Sequence, residues 1–323
     1  MEVLKLEGHD FFTINNGKNL EIEFCQYGAS IYSIKYKNKV VSYHPEDRKA
    51  FLSTGKYSGK MVGRTCGRLA DAIIEVNNTK YQLDMNEKDK SNCLHGGKDG
   101  ISFKDFSYEV VDKDEQIDVI FKYTSPANEG GYPAKVDYVI TYEISKTKDK
   151  FIIHMVATPD GLTTINMTTH IYWRLGGNDI LDHTMYVDAD KKMHGDLHRM
   201  FNINPEDVSP WFDFRQPKKI SQDILEIAKV EPCTRGYDHM FIFNKPHNGL
   251  VKLQYENTTL TVTTDMSAAN IYANCWESAG MMLGYEVDKR YGGIAIEPQL
   301  AYTSYKDLIT DKPYDHFISF ELN

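Results

Sequence analysis

Apolar residues recur at every second position along most of the chain. In VDYVITYEI (136–144), Val136, Tyr138, Ile140, Tyr142 and Ile144 alternate with a largely polar set, the period of a half-buried β-strand. IDVIFKY (117–123) and LEIEF (20–24) alternate in the same way. FIIHMVA (151–157), VKLQY (251–255), LTVTT (260–264), GIAIE (293–297) and FISFEL (317–322) read as further short strands. Turn signals punctuate them: NNG at 15–17 and glycine pairs at 96–97, 130–131, 176–177 and 292–293. Helical periodicity is scarce. SQDILEIAKV (221–230), opened by Ser221, predicts one short helix.

A parallel α/β architecture needs strands alternating with helices of about 10–15 residues, and the chain does not supply them. Strands continue to the last residues with no linker of Pro, Gly or Ser between them. The pattern predicts an all-β protein, a large antiparallel β-sandwich of two or more packed sheets, with residues 1–323 forming a single domain. The 323 residues, 41% of them apolar and 26% charged, have the composition of a globular chain. A formal charge of −9 argues against nucleic acid as the main partner, because phosphate backbones select clustered Lys and Arg. No stretch of about 18 apolar residues predicts a membrane span, and the opening MEVLKLEGHDFF has no apolar signal core. Five scattered cysteines (Cys25, Cys66, Cys93, Cys233 and Cys275) with no CxxC spacing suit free thiols in a cytoplasmic protein.

Polar residues lodged where a strand should be apolar are the candidates for chemistry. Arg68 closes GRTCGR (63–68), His95 sits in NCLHGG (92–97), and His170 lies in NMTTHIYWRL (166–175). Asp238 follows Gly-Tyr in GYDH (236–239), and Glu297 ends an apolar run in IEPQ (296–299). A charge at the end of such a run is costly unless it is paired or functional. Each residue taken singly also fits a structural role, as an ion pair, a satisfied core histidine or a turn former. His194 and His198 are four apart in HGDLH (194–198), but Gly195 between them and the lack of a third ligand argue against a metal site. NCLHGG lacks the Lys-Ser/Thr that would follow a phosphate loop.

Taken together and in chain order, these five segments resemble the aldose 1-epimerase (galactose mutarotase) family. The family patterns GRxxNR, NxLHGG, NLTNHSYFNL, GYDH and LExQ correspond to GRTCGR, NCLHGG, NMTTHIYWRL, GYDH and IEPQ here. YGASI (27–31), GGYP (130–133) and WFDFR (211–215) add weaker echoes. The resemblance implies a β-supersandwich with an open sugar cleft. It also implies a cofactor-free, metal-free interconversion of aldose anomers, a monosaccharide as the ligand, and a monomer or homodimer. It matches Glu297 to the family's general base and His170 to its general acid, with Arg68, His95 and Asp238 holding substrate. Trp173, Tyr237, Arg174 and Gln299, inside or beside the motifs, are further candidate substrate contacts, and Trp276 a further candidate for an aromatic face. The residue types suit the reaction, since ring opening needs one base at the C1 hydroxyl and one acid at the ring oxygen.

Several positions depart from the family patterns. Gly67 and Thr169 stand where asparagines are usual, Trp173-Arg174 replaces Phe-Asn, and the Pro-Asp after LExQ is absent from QLAYTSY (299–305). Arg174 and Arg235 beside site motifs raise an acidic or phosphorylated sugar as an alternative substrate. Two other classes remain open. One is a glycoside hydrolase using Asp238 and Glu297 as a carboxylate pair, and the other is a non-catalytic sugar-binding protein on the same fold.

Overall fold

A computed structural model describes residues 2–54, 57–87, 91–193, 204–231, 233–245, 247–276 and 289–323. The all-β expectation is met, with three principal antiparallel sheets. The longest has nine strands, in spatial order Ser107–Asp112, Gln116–Ser125, Val136–Ser145, Lys150–Pro159, Tyr314–Leu322, Thr258–Thr264, Gly249–Tyr255, Thr184–Val187 and Lys218–Lys219. Its central hairpins have long registers: Val136–Ser145 pairs with Gln116–Ser125 from Val136↔Ser125 to Ser145↔Gln116. The C-terminal strand lies inside this sheet, between Lys150–Pro159 and Thr258–Thr264. The alternation of VDYVITYEI is therefore the pleat of a sheet with one dry face. Val136, Tyr138, Ile140, Tyr142 and Ile144 all face the core.

Across that core lies a five-stranded sheet in sequential order, Val3–Leu6 to Lys39–Val40. Beside it is a six-stranded sheet, in spatial order Tyr172–Trp173, Ile294–Gln299, Ala268–Tyr272, Asp238–Ile242, Lys191–Met193 and Glu206–Asp207. One hydrophobic cluster draws residues from all three sheets. Phe24 meets Tyr142 edge-on at 5.0 Å between ring centres, and Trp173 meets Phe320 at 5.3 Å. Aromatic pairs at this spacing lock two sheets face to face.

The predicted helix exists but starts later. Residues Ile220–Gln222 form a single 3-10 turn and the α-helix runs Ile224–Val230, so Ser221 is not its cap. A second short helix, Arg48–Ser53, capped by the Asp47 carboxylate accepting from the Ala50 amide, has no periodic signature in the sequence. Among the described residues no helix is long and apolar enough to cross a membrane.

Candidate active site

Three of the five motifs supply strands of the six-stranded sheet: Tyr172–Trp173, Asp238–Ile242 and Ile294–Gln299. Alternation along Ile294–Gln299 turns Ile294 and Ile296 into the core, so Ala295, Glu297 and Gln299 take the opposite face. That face is covered by loops, which leaves the strand buried at every position. Glu297 is consequently 1% exposed, and its cross-strand partner is Asn270. The Asn270 amide donates to Glu297 Oε1 at 3.3 Å and to Asp238 Oδ1 at 3.4 Å, tying the two carboxylates together.

His170 is presented by the short strand ahead of Tyr172–Trp173. Its backbone is clamped on both sides: Gly59 donates to its carbonyl, and its own N–H donates to Lys60 O. The ring stands among Tyr57, Tyr172 and Tyr272, with centroids 6.2, 4.9 and 6.3 Å away. His170 Nε2 lies 3.7 Å from Glu297 Oε1. Burial acts on both partners in the same sense, against charge. It pushes the His170 imidazolium down to about 4. Burial, reinforced by the Asp238 carboxylate, pushes Glu297 up to about 8. Burial therefore favours the uncharged forms of both, a protonated carboxyl beside a neutral imidazole.

His95 comes from the opposite wall. Positions 95, 96 and 97 all have positive φ. At Gly96 a Cβ would sit 2.0 Å from Gly63 O, so only glycine allows this close approach. The resulting turn sets the His95 ring 5.4 Å from His170 and nearly perpendicular to it. The Gly67 amide donates to His95 Nδ1 at 3.2 Å, and the His95 amide donates to Gly67 O at 2.9 Å. Burial, with His170 and Arg68 adding to it, holds the His95 imidazolium well below its ordinary range. The ring is neutral, Nδ1 accepts, and so Nε2 carries the proton as a fixed donor.

Arg68 occupies the rim between Asp238 and Glu87. Its Nε donates to Glu87 Oε1 at 2.9 Å, and the Asn92 amide donates to the other Glu87 oxygen. Burial opposes the guanidinium charge, but Asp238 and Glu87 outweigh it and hold its pKa above the ordinary value. Behind Asp238 the backbone amide of Asp238 donates to His239 Nδ1, and His239 Nε2 meets Glu231 at 2.9 Å.

Two of the further candidates, Trp173 and Tyr237, turn into the core. Trp173 is one residue past Tyr172, and the pleat turns it into the core with 0% exposure. Tyr237 is buried as well, its hydroxyl donating to Trp211 O. Arg174 lies over the Tyr43 ring at 5.0 Å and Arg235 over Trp276 at 3.9 Å, so aromatic faces engage both guanidiniums. Gln299 shares the Glu297 face and accepts from the Cys66 thiol at 2.9 Å. His194 and His198 lie outside the described residues. Asn270, Tyr57 and Glu87 carry no motif. Asn270 alone had a usable signal, as a polar residue within the apolar strand Ala268–Tyr272.

The donor atoms of His95, His170 and Glu297 lie within 4.8 Å of one another, close enough in principle for a cation. The chemistry of the set does not fit one. A ring whose Nδ1 accepts a backbone N–H has its remaining nitrogen protonated, and His95 thus has no lone pair to give.

The sequence model of the family described as Aldose 1-epimerase matches residues 10–302. An aldose 1-epimerase of Haemophilus influenzae is 28% identical over 308 residues, covering 90% of this chain and 86% of that protein. The galactose mutarotase of Homo sapiens is 25% identical over 236 residues, 69% of this chain and 64% of that protein. Among solved structures, a galactose 1-epimerase from Lactobacillus acidophilus superposes with a TM-score of 0.89 at 21% identity, covering 99% of this chain and 96% of that one. That last likeness concerns the fold.

Proposed function

The chain belongs to the aldose 1-epimerase family of isomerases, and from this we propose that it interconverts the α and β anomers of a hexose such as galactose or glucose. The observation that carries the reading is the buried His170–Glu297 pair, whose Nε2 and Oε1 lie 3.7 Å apart. A proton passed from the Glu297 carboxyl to His170 sets up the reactive pair; the Glu297 carboxylate then takes the C1 hydroxyl proton while the His170 imidazolium delivers one to the ring oxygen. The C1–O bond to that oxygen breaks, the aldehyde rotates about C1–C2, and the steps reverse on the other face. After ring opening the proton sits on Glu297 and His170 is neutral. Burial favours that same state in the sugar-free cleft, so the two protonation states of the cycle differ by one internal transfer. Each partner of such an acid–base pair contributes about 10²–10⁴-fold. His95 Nε2–H and Arg68 donate to sugar oxygens, and Asp238 accepts from sugar hydroxyls.

The test is to add fresh α-D-galactose or α-D-glucose and follow the anomeric proton signals by NMR. Equilibration faster than in buffer supports the reading. Release of reducing ends from an aryl glycoside would replace it with a hydrolase. Sugar binding with neither activity would replace it with a non-catalytic binding protein.

A further inference from the structure

Position 67 carries no side chain, and Tyr302 occupies the space one would take. Gly67 has φ +73, and a Cβ built there would lie 2.4 Å from the hydroxyl oxygen of Tyr302, with the ring carbon bearing that hydroxyl 3.5 Å away. Tyr302 itself lies in QLAYTSY, just past the end of the Glu297 strand. It is 5% exposed and donates to Cys66 O at 3.4 Å. Arg68 and Glu297 are close enough for their charges to bias the phenol's ionisation.

Gly67 is also a hub. Its N–H fixes the His95 tautomer, its carbonyl holds the His95 backbone, and Arg68 follows it in the chain. The segment is tied to the end of the Glu297 strand by two further routes, one relayed through Asn166 and one direct. The Cys66 amide donates to Asn166 O at 2.7 Å, the Asn166 amide side chain bonds Leu300 in both directions, and the Cys66 thiol donates to Gln299. Tyr302 is the part of this lashing that touches Gly67.

We propose that Tyr302 is a positioning residue: its hydroxyl, standing where a Cβ of residue 67 would be, sets the turn that aims Arg68 and the His95 Nε2–H at the bound sugar. The inference rests on the mutarotase reading for its substrate, but two of its readouts do not need catalysis.

The experiment is Tyr302→Phe in the full chain, read by kinetics, by ¹⁵N shifts of the His95 ring, and by thermal unfolding with and without Gly67→Ala. Loss of one neutral hydrogen bond should raise KM about 3- to 10-fold with kcat within about twofold. A structural defect alone would lower the active fraction and leave KM unchanged. In the wild type the His95 shifts should report a single Nε2–H tautomer, and in Tyr302→Phe they should move towards the average of two. Gly67→Ala should lower Tm more with Tyr302 present than in the Tyr302→Phe background, where the clashing oxygen is gone. The φ strain is common to both backgrounds and cancels in the cycle. If Tyr302→Phe did not fold, Gly67→Ala would give the tautomer readout from the other side of the same contact. Unchanged KM with an unchanged His95 tautomer, or equal costs of Gly67→Ala in the two backgrounds, would overturn the proposal. A wild-type protein that mutarotates no aldose would sink the functional reading instead, leaving the tautomer and stability cycle to decide Tyr302 separately.

Discussion

In the nine-stranded sheet, the strand Val136–Ser145 buries every second side chain and leaves the others partly exposed. In the six-stranded sheet, Ile294–Gln299 is buried at every position, and one of those positions is a glutamate. Both are antiparallel strands packed on the same core. The difference lies in what covers the second face. Water solvates the outer face of the long sheet, and its polar residues cost nothing there. Loops carrying His95, Arg68 and His170 close over the outer face of the shorter sheet. Its polar residues must therefore pair with each other or remain unsatisfied. The Asn270 oxygen and His170 Nδ1 have no hydrogen-bond partner among the described residues. Regular strands thus hold the molecule together, and the strand that breaks the rule carries the proposed base Glu297 at a cost in stability.

The largest effect that would break this contrast concerns the chemistry. Glu297→Gln and His170→Asn should each lower kcat/KM by about 10²–10⁴-fold, measured by anomeric NMR, while circular dichroism and Tm stay near wild type or rise. A variant at either position that kept activity within tenfold would remove the acid–base assignment. On the other sheet the expected outcome is reversed. Phe121 is fully buried, and Phe121→Ala should cost about 3–5 kcal/mol in chemical denaturation while the folded fraction keeps its kcat/KM.

The same contrast explains what could be read from the chain. Strands with one wet face announce themselves by period two, so the long sheet and the class of fold were legible from Val136, Tyr138, Ile140 and their like. Strands buried on both faces lose that period, and GIAIE is identifiable as a strand only by its short apolar run. Glu297 was conspicuous because its charge interrupts that run. The pleat hides the direction of a side chain from motif reading. Trp173 and Tyr172 are neighbours in one motif, yet one enters the core and the other stands beside His170. Asn270, Tyr57 and Glu87 belong to no motif and reach the site through long-range pairing, which no local spacing encodes. The missing side chain at Gly67 was visible in the sequence, but Tyr302, which fills its place from the far end of the chain, was not.

A smaller effect sharpens the stability side of the comparison. Burial raises Glu297 above its ordinary value to about 8 and lowers His170 to about 4. A carboxyl with a raised folded pKa binds more protons when folded, so it makes stability fall as pH rises from the unfolded pKa to the folded one. A histidine with a lowered folded pKa does the reverse, between about 4 and 6.5. The two slopes oppose each other in mildly acid solution. Above about 6.5 the His170 slope is gone, and Glu297 should lower stability towards pH 8, opposed near the top of that interval by Lys60, whose ammonium burial pushes down to about 8. Denaturation midpoints for the wild type should fall across that interval, and Glu297→Gln should flatten the curve. An unchanged slope in the variant would mean that Glu297 is ionised in the sugar-free cleft.

The smallest effect separates two arginines that stand in motifs of the same site. Arg68 is held by Glu87 and Asp238 at the rim of the cleft. Arg174 lies across the Tyr43 ring and donates to Asn178 O at 3.5 Å. A half-buried guanidinium on an aromatic face contributes about 0.5–1 kcal/mol to folding. Arg174→Ala should therefore lower stability by about that amount in denaturant titrations, and leave KM for a neutral hexose within about twofold. The same substitution bears on the charged-sugar alternative. If Arg174 recognised an anion, its loss would raise KM for a hexose phosphate or uronic acid by at least tenfold while sparing glucose. Equal, small changes for neutral and anionic sugars would confine Arg174 to the scaffold and leave Arg68 as the guanidinium that meets substrate.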